Sequence, residues 1–202
     1  MSGAAVQKTP PGRRPGRPRS AEADQAIVTA TVAVLMEDGY RGLRMEAVVA
    51  RSGVGKATLY RRFGSKAELV AHVVRHLNRG ITAPDTGSLD GDWLALADTV
   101  LAAARTTNSA VFLPRLLAES AGDPELHRIF YENLVQPRRA ATREVLERAI
   151  ARGELREDLD LELAMDVLVG PIIYRLLIAG GDIEQLPDPS EFLAFVMRGL
   201  AR

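Results

Sequence analysis

Met45-Glu46-Ala47-Val48-Val49-Ala50-Arg51-Ser52-Gly53-Val54-Gly55-Lys56-Ala57-Thr58-Leu59-Tyr60-Arg61-Arg62-Phe63 is the stretch on which the fold turns. Met45–Ser52 reads as a short helix with Val48 and Val49 inward. Gly53-Val54-Gly55 breaks it, and Gly53 supplies a residue able to take positive φ at the helix end. Lys56–Phe63 reads as a second short helix, stopped by Gly64. Two short helices joined by so tight a turn must cross steeply, as in a helix-turn-helix. Val54 sits as an apolar plug under the turn. Val48, Leu59 and Phe63 are spaced to close a three-helix core with Ile27 and Val34. Lys56, Thr58, Tyr60, Arg61 and Arg62 then point outward. Hydroxyl and guanidinium groups suit base edges in a DNA major groove, and cations and tyrosine suit phosphates. An ordinary solvated basic face is the competing reading of these residues, and the glycine turn with the Leu59/Phe63 spacing disfavours it.

Outward from this stretch the chain reads all-α. Asp24–Glu37 carries a helical apolar face (Ile27, Ala30, Val34, Leu35), closed by Gly39. Ser65-Lys66-Ala67-Glu68 matches a capping box, opening a helix with Leu69, Val70, Val73, Val74 and Leu77 on its apolar side. Thr82–Asp92, rich in Gly, Pro, Asp and Ser, reads as a linker. Helices follow over Trp93–Arg105, Val111–Ser120, Pro124 to about Arg152 with a bend at Pro137, Leu161–Ala179 and Ser190–Leu200. No stretch alternates with period two long enough to form a strand. The division expected is a disordered basic arm (1–20), a helix-turn-helix domain with a connecting helix (21–79) and a helical effector-binding and dimerisation domain (80–202).

Charge divides the same way. The 202 residues carry 26 Lys+Arg and 26 Asp+Glu, yet residues 1–79 hold 14 basic and 6 acidic side chains and residues 80–202 hold 12 and 20. The neutral total is thus a head at +8 and a body at −8. Such a field draws the head to phosphates and holds the body away. The absence of cysteine excludes disulfides, thiol catalysis and cysteine-based zinc sites. The longest clean apolar run, Val167–Tyr174, is eight residues and contains Gly170 and Pro171, too short to span a membrane. A soluble, cytoplasmic protein is expected.

Gly53-Val54-Gly55-Lys56-Ala57-Thr58-Leu59-Tyr60-Arg61-Arg62-Phe63-Gly64-Ser65-Lys66 resembles the signature of the tetracycline-repressor (TetR) family, A-G-V-S-x-G-T-L-Y-x-H-F-x-S-K. Gly39-Tyr40 also matches the Gly-aromatic pair that ends the family's first helix. The resemblance covers about residues 22–70. It implies a DNA-binding transcriptional regulator, a repressor released by a small-molecule effector, with no cofactor. By this resemblance Thr58 and Arg61 face the groove for base contact. Lys56 and Tyr60 meet backbone or bases, Ala57 lies among them, and Arg62 and Lys66 meet phosphate. Arg44 stands where the family often has a capping Thr or Ser, and reaches for a phosphate instead. Gly55 replaces a common Ser cap, which Gly tolerates.

The arm Gly12-Arg13-Arg14-Pro15-Gly16-Arg17-Pro18-Arg19 has a Gly-Arg-Pro core like an AT-hook, which slides Arg17 into the minor groove of A·T-rich DNA. Eight extended residues reach about 27 Å. A merely solubilising tail is the other reading. Trp93, Phe112, Leu116, Phe130, Tyr131 and Tyr174 are candidates for an effector cavity, or for plain core. Val167, Leu168, Ile172, Leu176, Phe192, Phe195, Val196 and Leu200 form faces too broadly apolar for lone helices. The resemblance implies that they pair with a second copy in a homodimer. His72 and His76, four apart, read as satisfied histidines rather than a metal pair with His127, Glu119 or Asp123. The acidic run Glu154, Glu157, Asp158, Asp160 and Glu162 lacks calcium-loop spacing and reads as a helix-starting turn. No catalytic constellation stands out, so an enzyme is not expected. A helical small-molecule-binding or protein-interaction module without operator binding is the rival reading.

Overall fold

The computed structural model describes residues 18–107, 109–179 and 185–200, and all regular structure among them is helical. Helix α1 (Pro18–Gly42) opens three residues inside the stretch read as the arm, and the remainder of that arm, with Arg17, lies outside the described residues. Helices α2 (Met45–Ser52), α3 (Lys56–Arg62) and α4 (Lys66–Leu77) complete the head. Ile27, Val34, Val48, Leu59, Leu69, Val70, Val73 and Val74 are fully buried in its core, and Phe63 nearly so. Val54 packs beneath the turn as its spacing predicts.

Two glycines shape the head for different reasons. Gly53 has φ 67°, and its N–H donates to Val49 O at 3.2 Å, closing α2. A Cβ there would meet nothing, so backbone conformation alone selects glycine. Gly39 has φ 68°, and a Cβ there would also collide with the Glu119 carboxylate. That carboxylate accepts from Tyr40 N at 2.9 Å and Arg41 N at 3.2 Å, while Arg115 donates to Met36 O at 2.7 Å. The sixth helix thereby grips the end of the first. Ser65 caps α4 by accepting from Glu68 N at 3.1 Å, but Glu68 reaches back to Gly64 N rather than to Ser65 N. Arg44 makes no side-chain cap on α2.

The body comprises α5 (Leu89–Thr107), α6 (Ser109–Ser120), α7 (Pro124–Phe130), a π-helical turn (Tyr131–Val135), α8 (Gln136–Ala151), α9 (Leu161–Leu177) and α10 (Pro189–Leu200). The single helix expected from Pro124 to about Arg152 is instead divided by the π turn into α7 and α8, and Pro137 falls in the first turn of α8. Asp123 and Asp160 cap α7 and α9. The linker reading of 82–92 runs too far. Helix α5 begins at Leu89, and Asp92, fully buried, accepts from Thr86 N at 2.6 Å and from Arg152 at 3.2 Å.

The hydrophobic cores do not divide at residue 80. One spans α1–α4 and continues into α6, α7 and the π turn through Phe112, Leu116, Leu126, Ile129, Phe130 and Leu134. The other joins α5 with α8, α9 and α10 around Trp93, Leu96, Val145, Met165, Leu168 and Leu193. Helix α6 therefore packs on the head while bordering the body's interior.

Candidate functional site

Helix α3 turns Leu59 fully inward, and Phe63, just past its end, packs beside it. This leaves Lys56, Ala57, Thr58, Tyr60 and Arg61 exposed on one continuous surface. The side chains of Thr58 and Arg61, and of Arg44 beside them, have no hydrogen-bonding or ionic partner among the described residues. Lys56 and Tyr60 share Glu46 of α2, the ammonium at 3.4 Å and the phenol donating at 2.6 Å. Hydrogen bonding from Tyr60 first, and from Lys56, holds the Glu46 carboxyl below its ordinary value. Lys56 also lies 5.5 Å from the Tyr60 ring centre.

Two residues expected at phosphates are turned elsewhere. The Arg62 guanidinium pairs with Asp24 of α1. Lys66 donates to Tyr40 O at 3.2 Å and lies 4.4 Å from the Tyr40 ring centre. Asp24 is also met by His72 at 2.7 Å and Arg79 at 3.1 Å, so one carboxylate joins α1, the end of α3 and α4. Burial alone would raise the Asp24 carboxyl, but the His72 ring and the two guanidinium groups outweigh it and hold it low. Burial pushes His72 and His76 below the ordinary imidazole value. The histidine pair thus serves this cluster, and no group of three metal-ligating side chains gathers among the described residues.

A cavity of about 200 Å³ lies in the body, lined mostly by aliphatic and aromatic side chains of α5, α6, α8, α9 and α10. Of the six residues expected there, Trp93 and Phe130 line it. Phe112 and Leu116 instead belong to the core shared with the head, and Leu113 of the same helix packs against that core while also lining the cavity. Tyr131 and Tyr174 are surface residues, 46% and 58% exposed. Two residues assigned to a dimer face, Ile172 and Phe192, line the cavity, and Leu168 and Val196 are buried within the subunit. Val167 and Phe195 remain outside, Phe195 at 70% exposure, and Leu163 and Ile178 are exposed as well. The side chains of Leu176 and Leu200 lie outside the described set. Among the described residues, no helix is long and apolar enough to cross a membrane.

The sequence reading missed Arg138, the one charged side chain in the cavity wall among the described residues. Its neighbours Leu134, Ala141, Thr142 and Val145, at −4, +3, +4 and +7, are all buried, so helical spacing put Arg138 on an inward face.

Residues 27–73 match the family described as bacterial regulatory proteins, tetR family, and residues 83–186 match the tetracyclin repressor-like C-terminal domain. The chain belongs to the TetR family. It is 34% identical to the HTH-type transcriptional regulator YdeS of Bacillus subtilis over 83% of this chain and 85% of that one. It is 29% identical to the DNA-binding transcriptional repressor TetR of Mycobacteroides abscessus, over 82% and 85%. Among solved structures, the TetR-family regulator SCO0332 matches with TM-score 0.66 and 26% identity, covering 90% of this chain and all of that one. The protein is therefore a helix-turn-helix transcriptional regulator that binds DNA. The first matched segment begins in α1, contains α2 and α3, and ends within α4.

Proposed function

We propose that this TetR-family regulator is a cytoplasmic homodimeric repressor, released from its operator by a small molecule held in the body. Thr58 and Arg61 read base edges in the major groove. Lys56, Ala57 and Tyr60 line the same approach. Arg44 meets a phosphate, and Arg17 of the arm enters the adjacent minor groove. Arg62 and Lys66 act by positioning: through Asp24 and Tyr40 O they fix α3 and the start of α4 against α1. A second copy covers the exposed apolar side chains of α9 and α10, since a strip containing Phe195 and Ile178 is a poor surface for water. Two recognition helices then lie about 34 Å apart, or a multiple of that, on a near-palindromic operator. The effector acts by binding the two conformations of the dimer unequally.

The observation that carries this reading is the surface of α3, where unpartnered Thr58 and Arg61 stand over a closed core. Footprinting on the DNA upstream of the protein's own gene tests it. A protected, near-palindromic segment is expected, with affinity falling steeply with salt. Salt-insensitive binding with no protected segment would favour a protein-interaction module.

A further inference from the structure

Arg138 is an anomaly among its neighbours. Helix α8 and its cap carry four other half-buried arginines, and each has carboxylates. Arg139 takes Glu162 and Asp166, Arg143 takes Glu162 and Glu147, Arg148 takes Glu144 and Asp92, and Arg152 takes Asp92 and Glu154. Arg138 faces the apolar cavity instead, with no carboxylate in ion-pairing distance among the described residues. Its one acceptor is a neutral amide oxygen, Asn78 Oδ1, at 2.9 Å from Nε. Burial pushes its guanidinium down to about 10, which leaves it cationic at neutral pH. Among the other wall residues, Trp93 holds its indole N–H buried without an acceptor. Among the described residues, the cavity wall thus presents a positive charge and no carboxylate.

A buried cation without a counter-charge is costly, and an anion arriving from solvent relieves that cost through charge-assisted hydrogen bonds. Resting on the effector reading above, we infer that the cavity is selective for an organic monoanion with a compact apolar body, its anionic group seated on the Nη groups of Arg138. The body of such a ligand fits a wall of Val100, Leu101, Leu113, Ile172 and Phe192. Asn78 extends the consequence. It closes α4, and its amide nitrogen donates to Asn133 O at 2.6 Å and Leu134 O at 3.1 Å while its oxygen holds Arg138. The charge-reading group in the cavity is therefore bonded directly to the last helix of the head.

Calorimetry on the full-length protein tests the inference with matched probes: octanoate against 1-octanol, and 2-naphthoate against 2-naphthamide. At least one anion is expected to bind roughly ten-fold or more tightly than its neutral partner. Arg138→Gln, which keeps an amide able to meet Asn78 but removes the charge, is expected to abolish that preference while the neutral probe binds as before. Unchanged binding of the neutral probe shows that the variant's cavity is folded. Equal binding of anion and neutral partner by the wild type, or a preference that survives Arg138→Gln, overturns the anion assignment alone. Binding of neither kind of probe overturns it together with the effector reading beneath it.

Discussion

The head and the body use apolar residues in opposite ways. In the head, the faces of α1–α4 close on one another, and eight of their apolar side chains reach zero exposure. In the body, the helices enclose a cavity of about 200 Å³ and still leave Leu163, Tyr174, Ile178 and Phe195 facing outward. The head is built to hold one shape, because reading DNA demands a fixed placement of α3. On the proposed reading, the body keeps space and surface in reserve for a ligand and a second copy. The charges follow suit: the head's buried carboxylate gathers Arg62, Arg79 and His72, whereas Arg138 in the cavity wall meets no counter-charge among the described residues.

This contrast is breakable at several points. Leu59→Ala in the sealed head core is expected to cost about 2–5 kcal/mol in denaturant unfolding, while the matched truncation Ile172→Ala on the cavity wall should cost less than about 2 kcal/mol. Equal costs would erase the distinction between a filled and an open interior. Phe195→Asp is expected to weaken dimerisation by about 2 kcal/mol or more with helix content intact, as read by sedimentation at several concentrations. A dimer as tight as the wild type would remove α10 from the interface. Arg61→Ala should lower discrimination between operator variants by about 1–3 kcal/mol without changing the melting temperature. Arg62→Ala should instead lower the melting temperature by releasing Asp24. The reverse pattern would restore the phosphate role read from the sequence for Arg62.

The smallest effect concerns pH. His72 and His76 have folded values below their ordinary one, so the unfolded chain binds their protons first. Their contribution is complete above about pH 6.5 and is lost as pH falls through the lower folded values. Asp24, also held low, keeps its contribution until well below that range. The melting temperature should thus drop between pH 7.5 and 5.5, and less so in His76→Gln. A melting temperature that rises on acidification contradicts this assignment.

What the sequence could reveal follows from how local each feature is. The turn at Gly53, the Ser65 cap and the buried Leu59/Phe63 pair are set within a few residues, and all were legible. The ion pair of Arg62, read from the sequence only as a phosphate contact, was not legible because its partner, Asp24, lies 38 residues away on a different helix. Phe112 and Leu116 were misplaced because α6 has two apolar sides, one for the head and one for the cavity, and periodicity does not say which neighbour each side meets. Ile172 and Phe192 went to the dimer face for the same reason. Arg138 was hidden beside Arg139 in an apparently solvated charged run. Its apolar neighbours at helical spacing were the signal that would have exposed it.

The account rests on α3 reading DNA, and selection of binding sites from random duplexes by the full-length protein tests this most directly. Wild type is expected to enrich one near-palindromic sequence with half-sites about 34 Å apart, or a multiple of that, centre to centre. Arg61→Ala should enrich a degenerate version of it, relaxed at the same position in each half. Enrichment of no sequence by the wild type, or of an identical sequence by Arg61→Ala, would contradict the placement of Arg61 at the base edges.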